Sequence, residues 1–249
     1  YPQMVALQEG DLDLSMEIWT SNIGEAYEKA LASGNVERVG ESGLEPIETW
    51  YYTPYAEEKC PGLPDWTALN DCAMLFSAPE TIPQGRFMDY PVEWGTTNVD
   101  RIDALGLNYK SMPMGSEGAG IAEIKSAYAN KQPLVMMFWE PHWMHAVYDL
   151  KKVELPAYDE ACYTDPAWGL NPDKTYDCNW DMSATIVMMA NIGLKDKWPG
   201  AFNMLQKLKY TNAMQADLMK QIDMDGGDLE EVIAKWISEN ESTWKPWTN

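Results

Sequence analysis

The residues best equipped for chemistry fall in one short run, 138–145, which reads FWEPHWMH and follows the apolar LVMM. It holds two tryptophans, a glutamate and the chain's 2 histidines. His142 and His145 are spaced i,i+3, which on a helix sets both imidazoles on one face beside Glu140, as ligands of a metal-dependent hydrolase. HExxH order is absent and no distant carboxylate stands out as a further ligand, so this reading ranks below a structural or ligand-contact role. The run can also be the hydrophobic end of a core strand. In a third reading its indoles are the wall of a binding site. Indole is the best cation–π face, and boxes of two to four rings recurrently hold quaternary ammonium groups, which have no hydrogen to donate.

Tryptophan usage weighs toward the third reading. The chain has 12 Trp and only 4 Phe in 249 residues, whereas core volume alone would be served by Leu and Phe. Any single Trp is more often a packing residue than a ligand contact, and Trp198, Trp236, Trp244 and Trp247, on C-terminal helical segments, are assigned to packing. Trp19 closes a strand after DLDLSMEI, Trp94 lies in the turn VEWGTTN, and Trp139 and Trp143 flank EPH. Those are loop-end positions suited to presenting a ring to a ligand.

Other chemistries are poorly supported. GxSxG is absent, no cysteine stands with a histidine in a catalytic context, and GSEGAG lacks both the Lys-Ser/Thr and the GxGxxG spacing of a phosphate loop. A net charge of -21 repels nucleic acid and anionic membrane surfaces, and favours neutral or cationic small partners. No apolar segment approaches the roughly 20 residues that cross a bilayer. The 4 cysteines form two local pairs, Cys60 with Cys72 and Cys162 with Cys178, both in loops rich in Pro, Gly, Asn and Asp. Three pairings are possible, and the local one is simplest; two disulfides would place the protein in an oxidising compartment such as a periplasm. Four reduced thiols are the alternative, and neither pair has the CxxC spacing of a zinc site.

These residues need elements to position them. VALQEGDLDLSMEIW reads as a helix end, a Gly stop and a short strand. IGEAYEKALASGN is a helix closed by Gly34, IETWYYTPY a strand, and LPDWTALNDCAMLF a second helical stretch. Residues 77–107, rich in Pro and Gly, read as a crossover with a ligand loop and then a short helix. In SMPMGSEGAGIAEIKSAYANKQP a Gly-Ser-Glu turn opens a helix with Ile121, Ile124 and Tyr128 on one face, ended by Lys131-Gln132-Pro133 before the strand LVMMFW. Such αβ units in series imply a mixed or parallel sheet with ligands at strand carboxyl ends and helix N-termini. The C-terminal part is helical, broken at Gly226-Gly227 and capped by Asp228.

At this point the motifs carry a resemblance. GDLDLSMEIW, VEWG, MGSEGAG, WEPHWMHAVYDLKKVELP and GGDLEEVIAKWISEN, in that order over nearly the whole chain, resemble the glycine-betaine-binding family of periplasmic substrate-binding proteins from ABC importers. WxPHW followed by YDLKxxExP is the most specific part. The resemblance implies an α/β, two-lobed periplasmic-binding-protein fold of type II-like form, each lobe a mixed sheet flanked by helices, with ligand in the inter-lobe cleft. It implies an extracytoplasmic protein without enzymatic activity, partnered by a small methylated-ammonium ligand and a membrane permease. Residues 1–85 and 195–249 are expected as lobe 1 and 86–194 as lobe 2. By position Trp19, Trp94 and Trp139 correspond to cage rings, with His142 or Trp143 close by. The family's opening strand and helix are missing before Tyr1, so lobe 1 is expected to lack an edge element unless part of the mature chain precedes Tyr1, the reading preferred because folded proteins avoid an exposed sheet edge. The Cys162–Cys178 loop looks like a branch of the family; acidic residues and carbonyls over 158–178 could hold Ca²⁺, against the stronger reading of a solvated acidic loop. No other cofactor is expected.

Ligand identity turns on polar partners. Betaine needs donors for its carboxylate, while choline and trimethylamine N-oxide need few or none. Glu117, at a helix mouth, and Glu93, beside Trp94, would repel a carboxylate, yet favour a cation or, protonated, bind an N-oxide oxygen. Equally, Glu117 can simply complement the helix dipole. His142 could donate to a carboxylate, which keeps betaine in play. The expectation is therefore glycine betaine or trimethylamine N-oxide, ahead of choline and dimethylsulfoniopropionate.

Overall fold

In chain order the strands of the described residues are β1 (Leu14–Trp19), β2 (Val36–Glu41), β3 (Ile47–Tyr52), β4 (Pro61–Pro64), β5 (Gly85–Asp89), β6 (Tyr109–Pro113), β7 (Val135–Glu140), β8 (Lys151–Lys152) and β9 (Ile186–Asn191). The computed structural model describes residues 2–21 and 24–248. They form two units, Tyr1–Ile47 with Glu140–Ala146 and Ser183–Asn249, and Glu48–Trp139 with Val147–Met182. This division differs from the boundaries expected at 85/86 and 194/195: β3 joins the sheet of the second unit rather than the first, and Glu140–Ala146 falls in the first.

The first unit is built on a sheet of order β1-β9-β2, antiparallel in both pairings. IVMMAN, the central strand, has no polar residue before its last position, the pattern of a strand covered on both faces. Side chains alternate across a strand, and the two faces are filled accordingly. Val187 and Met189 pack with Ile18, Val36, and Met4, Leu7 and Tyr27 of the helices Pro2–Glu9 and Gly24–Ala32. Met188 and Ala190 pack with Leu194, Phe202, Leu205 and Leu208 on the other side, where Trp247 also rests. Trp236 stacks on Trp247 with centroids 6.4 Å apart. Trp198, by contrast, is 56% exposed and does not play the packing role expected of it. It precedes the Pro199 that starts the helix Pro199–Lys207, whose buried face is carried by Phe202 and Leu205 instead.

The second unit carries the mixed sheet β6-β5-β7-β3-β8. β5 runs parallel to both β6 and β7, while β8 is antiparallel to β3. The helix Asn98–Ala104 lies between β5 and β6 in the chain, and the helix Glu117–Ala129 between β6 and β7. These are two successive βαβ units, so the carboxyl ends of β5, β6 and β7 share one edge of the sheet. The longer helix starts where expected: Ser116 takes extended backbone and its hydroxyl accepts from Ala119 N–H, satisfying one of the donors a helix start leaves open. LPDWTALNDCAMLF, expected as a helix, is instead the strand β4, one turn at Ala68–Asp71 and a 3-10 turn at Ala73–Phe76.

Both local disulfides form, Cys60–Cys72 with Cα atoms 5.6 Å apart and Cys162–Cys178 at 6.3 Å. Each closes a short loop and so removes configurational freedom from the unfolded chain. Replacing Cys60 and Cys72 together by Ser is expected to lower unfolding free energy by about 2–3 kcal/mol, measured by urea denaturation of the oxidised proteins.

Candidate functional site

The carboxyl edge of the parallel strands gathers the sequence-nominated residues of the second unit. β5 ends at Asp89 and leads into Tyr90 and the 3-10 turn Val92–Trp94; β6 leads to Ser116 and Glu117; β7 ends with Trp139 and Glu140. This is where ligands of open α/β sheets bind, because strand ends and helix N-termini leave side chains and N–H groups facing outward.

Asp89 shapes the turn. Its side chain is fully buried and accepts from Tyr90 N–H at 2.7 Å, Asn98 Nδ2 at 2.6 Å, Thr96 Oγ1 at 3.0 Å and Ser111 Oγ at 2.7 Å. Asn98 Oδ1 accepts in turn from the indole of Trp50 at 2.7 Å, and Trp50 packs on Phe87 of β5 with centroids 4.6 Å apart. A buried carboxylate is tolerated only when its lone pairs are occupied in this way.

On that turn stands an aromatic cluster. Tyr90, Trp94 and Trp139 contact one another pairwise, with centroids 5.4 Å (Tyr90–Trp94), 5.5 Å (Tyr90–Trp139) and 5.3 Å (Trp94–Trp139) apart. Their planes meet at 57°, 65° and 72°, so the rings form a corner rather than a stack. Tyr90 is 3% exposed, Trp139 8% and Trp94 38%, which makes the cluster deep at two rings and open at the third. A cation equidistant from the three centroids and roughly 3 Å off their plane would be about 4–4.5 Å from each, inside the ~6 Å reach of a cation–π contact.

The Tyr90 hydroxyl donates to Glu48 Oε1 at 3.0 Å, and Glu48 is buried as well. Burial, then the charge of Glu48 and this hydrogen bond, push the Tyr90 phenol well above its usual range. It stays protonated and remains the donor. Tyr90 escaped the sequence reading, which followed tryptophan abundance; the available signal was DYPVEW, where a tyrosine precedes Trp94 by four residues at a strand end.

The other nominated residues occupy separate places. Glu117 is the first residue of its helix and half-buried; its place at the shared sheet edge fits a ligand contact and a dipole role alike. Glu93 is exposed in the turn. In the first unit Trp19 ends β1 and its indole donates to Glu17 Oε1 at 2.6 Å. His142 and Trp143 are buried, their rings stacked at 5.6 Å. His142 Nδ1 accepts from Met144 N–H at 3.1 Å, which assigns the ring proton of a neutral imidazole to Nε2.

Nothing in this geometry favours the metal reading: among the described residues no group of three or more His, Cys, Asp or Glu could hold a metal ion, and His142 Nδ1 accepts from the backbone. Three carboxylates of the acidic loop 158–178 accept from its own N–H groups, Asp159 from Ala161, Asp165 from Ala167 and Asp177 from Leu170, and serve as turn acceptors.

Comparison with known proteins decides the class. The family described as "Substrate binding domain of ABC-type glycine betaine transport system" matches residues 2–239. The chain belongs to that family. Its members are substrate-binding components of importers, extracytoplasmic and without enzymatic activity. A trimethylamine N-oxide-binding protein of Pelagibacter ubique (strain HTCC1062) is 28% identical over 251 residues, covering 98% of this chain and 77% of that protein. Two solved structures share the fold: an ABC-transporter choline-binding protein in complex with choline, at 21% identity and TM-score 0.71 over 98% of this chain and 77% of that one, and lactococcal OpuAC in its closed form with glycine betaine, at 19% identity and TM-score 0.70 over 99% and 84%. The α/β architecture of two units is that of two-lobed periplasmic binding proteins. Among the described residues no helix is long and apolar enough to cross a membrane.

Two outcomes follow. Asp89→Asn turns an acceptor toward four donors into a group that is itself half donor, and is expected to cost about 2–4 kcal/mol of stability by chemical denaturation. The raised folded-state value of Tyr90 means that its stabilising contribution is complete below the unfolded tyrosine value of about 10 and declines as pH rises beyond it. A pH series of denaturation midpoints should fall above about 10, and less so for Tyr90→Phe.

Proposed function

We propose that this family member captures a methylated-ammonium osmolyte, glycine betaine or trimethylamine N-oxide first and choline or dimethylsulfoniopropionate after them, and delivers it to the permease of an ABC importer. The observation that carries the reading is the corner of Tyr90, Trp94 and Trp139. A trimethylammonium group offers no N–H, so affinity must come from desolvated contact with aromatic faces rather than from hydrogen bonds. The Pelagibacter relative is named for trimethylamine N-oxide, which supports keeping that ligand beside betaine. Trp19, Trp143, His142 and Glu117 remain proposed ligand contacts. His142 supplies an Nε2–H donor suited to a carboxylate, and Glu117 an acceptor suited to a protonated oxide. Two disulfides fit a periplasmic or otherwise extracytoplasmic location.

Isothermal titration with the four ligands, with tryptophan fluorescence in parallel, is expected to give micromolar or tighter binding to at least one. Trp94→Ala and Trp139→Ala should each weaken that binding by about 1–2 kcal/mol or more, roughly five- to thirtyfold in Kd. Unchanged affinity in both variants would falsify the aromatic assignment.

A further inference from the structure

Behind the aromatic corner stands a charge that no cage requires. Glu48 is 5% exposed and accepts the Tyr90 hydroxyl at 3.0 Å, from a strand neighbouring β7. The bond joins the carboxylate to the hydroxyl end of a ring that also contacts Trp94 and Trp139. A phenol donating to an anion gains electron density in its ring, which deepens the negative face that attracts cations. The carboxylate also adds its own field, one phenol length away and in a poorly screened interior. Arg101, buried in the same unit and held at about 10 by burial, remains charged at neutral pH and also senses Glu48. Its guanidinium is committed to the Trp180 ring at 3.5 Å and to the Cys178 carbonyl at 2.6 Å. Its positive charge offsets part of the field of Glu48.

We infer that Glu48 is a specificity-determining residue that acts through Tyr90, biasing the cluster toward trimethylammonium ligands without a carboxylate and against those that carry one. The inference rests on the cluster being the ligand site. Its physics is differential: attraction to the methylated cation is shared by all candidates, whereas glycine betaine and dimethylsulfoniopropionate bring a carboxylate to be repelled and choline and trimethylamine N-oxide do not. Glu48 is here a positioning residue, with no ligand contact assigned to it.

The test compares Kd values for glycine betaine and for the tighter of choline and trimethylamine N-oxide, on wild type and Glu48→Gln, by calorimetry on preparations checked by circular dichroism. Glu48→Gln is expected to weaken the carboxylate-free ligand about tenfold while betaine changes by less than about threefold. Loss in parallel for both ligands, or no change, overturns the inference, since a structural role moves both constants together. Wild type that binds betaine alone overturns it too, yet leaves the aromatic reading standing; wild type that binds none of the three removes that reading itself. If Glu48→Gln does not fold, Tyr90→Phe, which keeps the ring and severs the bridge, is expected to shift the ratio the same way, and a parallel loss there counts against the proposal.

Discussion

Asp89 sits at the last position of β5 with its carboxylate out of reach of water, and it takes N–H and O–H donors from four residues of two chain segments. Because a buried acceptor is costly unless satisfied, the conformations that bring Tyr90, Thr96, Asn98 and Ser111 to it are strongly favoured over any that do not. The Val92–Trp94 turn is spanned by those donors, and so is fixed at both ends. Trp94 is thus held against Tyr90 and Trp139 by a polar network that contains none of the three indole or phenol groups proposed to meet the ligand. Trp50 extends the same network into the apolar core through Asn98, which couples the turn to the packing of the sheet.

Recognition of a quaternary ammonium group has an unusual requirement. The ligand cannot be oriented by donors of its own, and it must shed water to be bound at all. Rings already in mutual contact, two of them buried, meet that requirement with little ordering on binding, because a Tyr or Trp has few rotors to lose. The same rigidity makes the corner poorly selective: every trimethylammonium presents the same face to it. Discrimination therefore has to come from the polar groups placed around the rings.

Much of the scaffold was legible in the residues. VMMFWE is apolar without alternation, as strands covered on both faces must be, and the Ser116 and Asp228 caps mark helix starts that the structure reproduces; IVMMAN carries the same signal, which escaped the sequence reading. The family motifs and the loop-end tryptophans led to Trp94 and Trp139. Three things were not readable. β5, GRFMD, is short, opens on Gly85 and lies inside a Pro/Gly-rich passage, so local signals point to a loop while its identity as a strand comes from pairing with both β6 and β7. The unit boundary depends on which sheet β3 joins, a long-range choice without a local signature. Asp89 and Glu48 look like ordinary solvated acids in sequence; only burial and donors contributed from distant segments reveal what they do.

Acidity acts on two scales. The net charge of -21 raises the local concentration of cations around the whole molecule and is screened beyond roughly 8–10 Å at physiological salt. Such a field has little to grip in a zwitterion, whose opposite charges nearly cancel at a distance. A single buried carboxylate behind a ring works at a range where the two ends of a zwitterion are felt separately, so it can oppose the carboxylate of betaine even while the ammonium is attracted. In the proposed reading the surface charge acts on encounter, and the interior charge on which methylated cation stays.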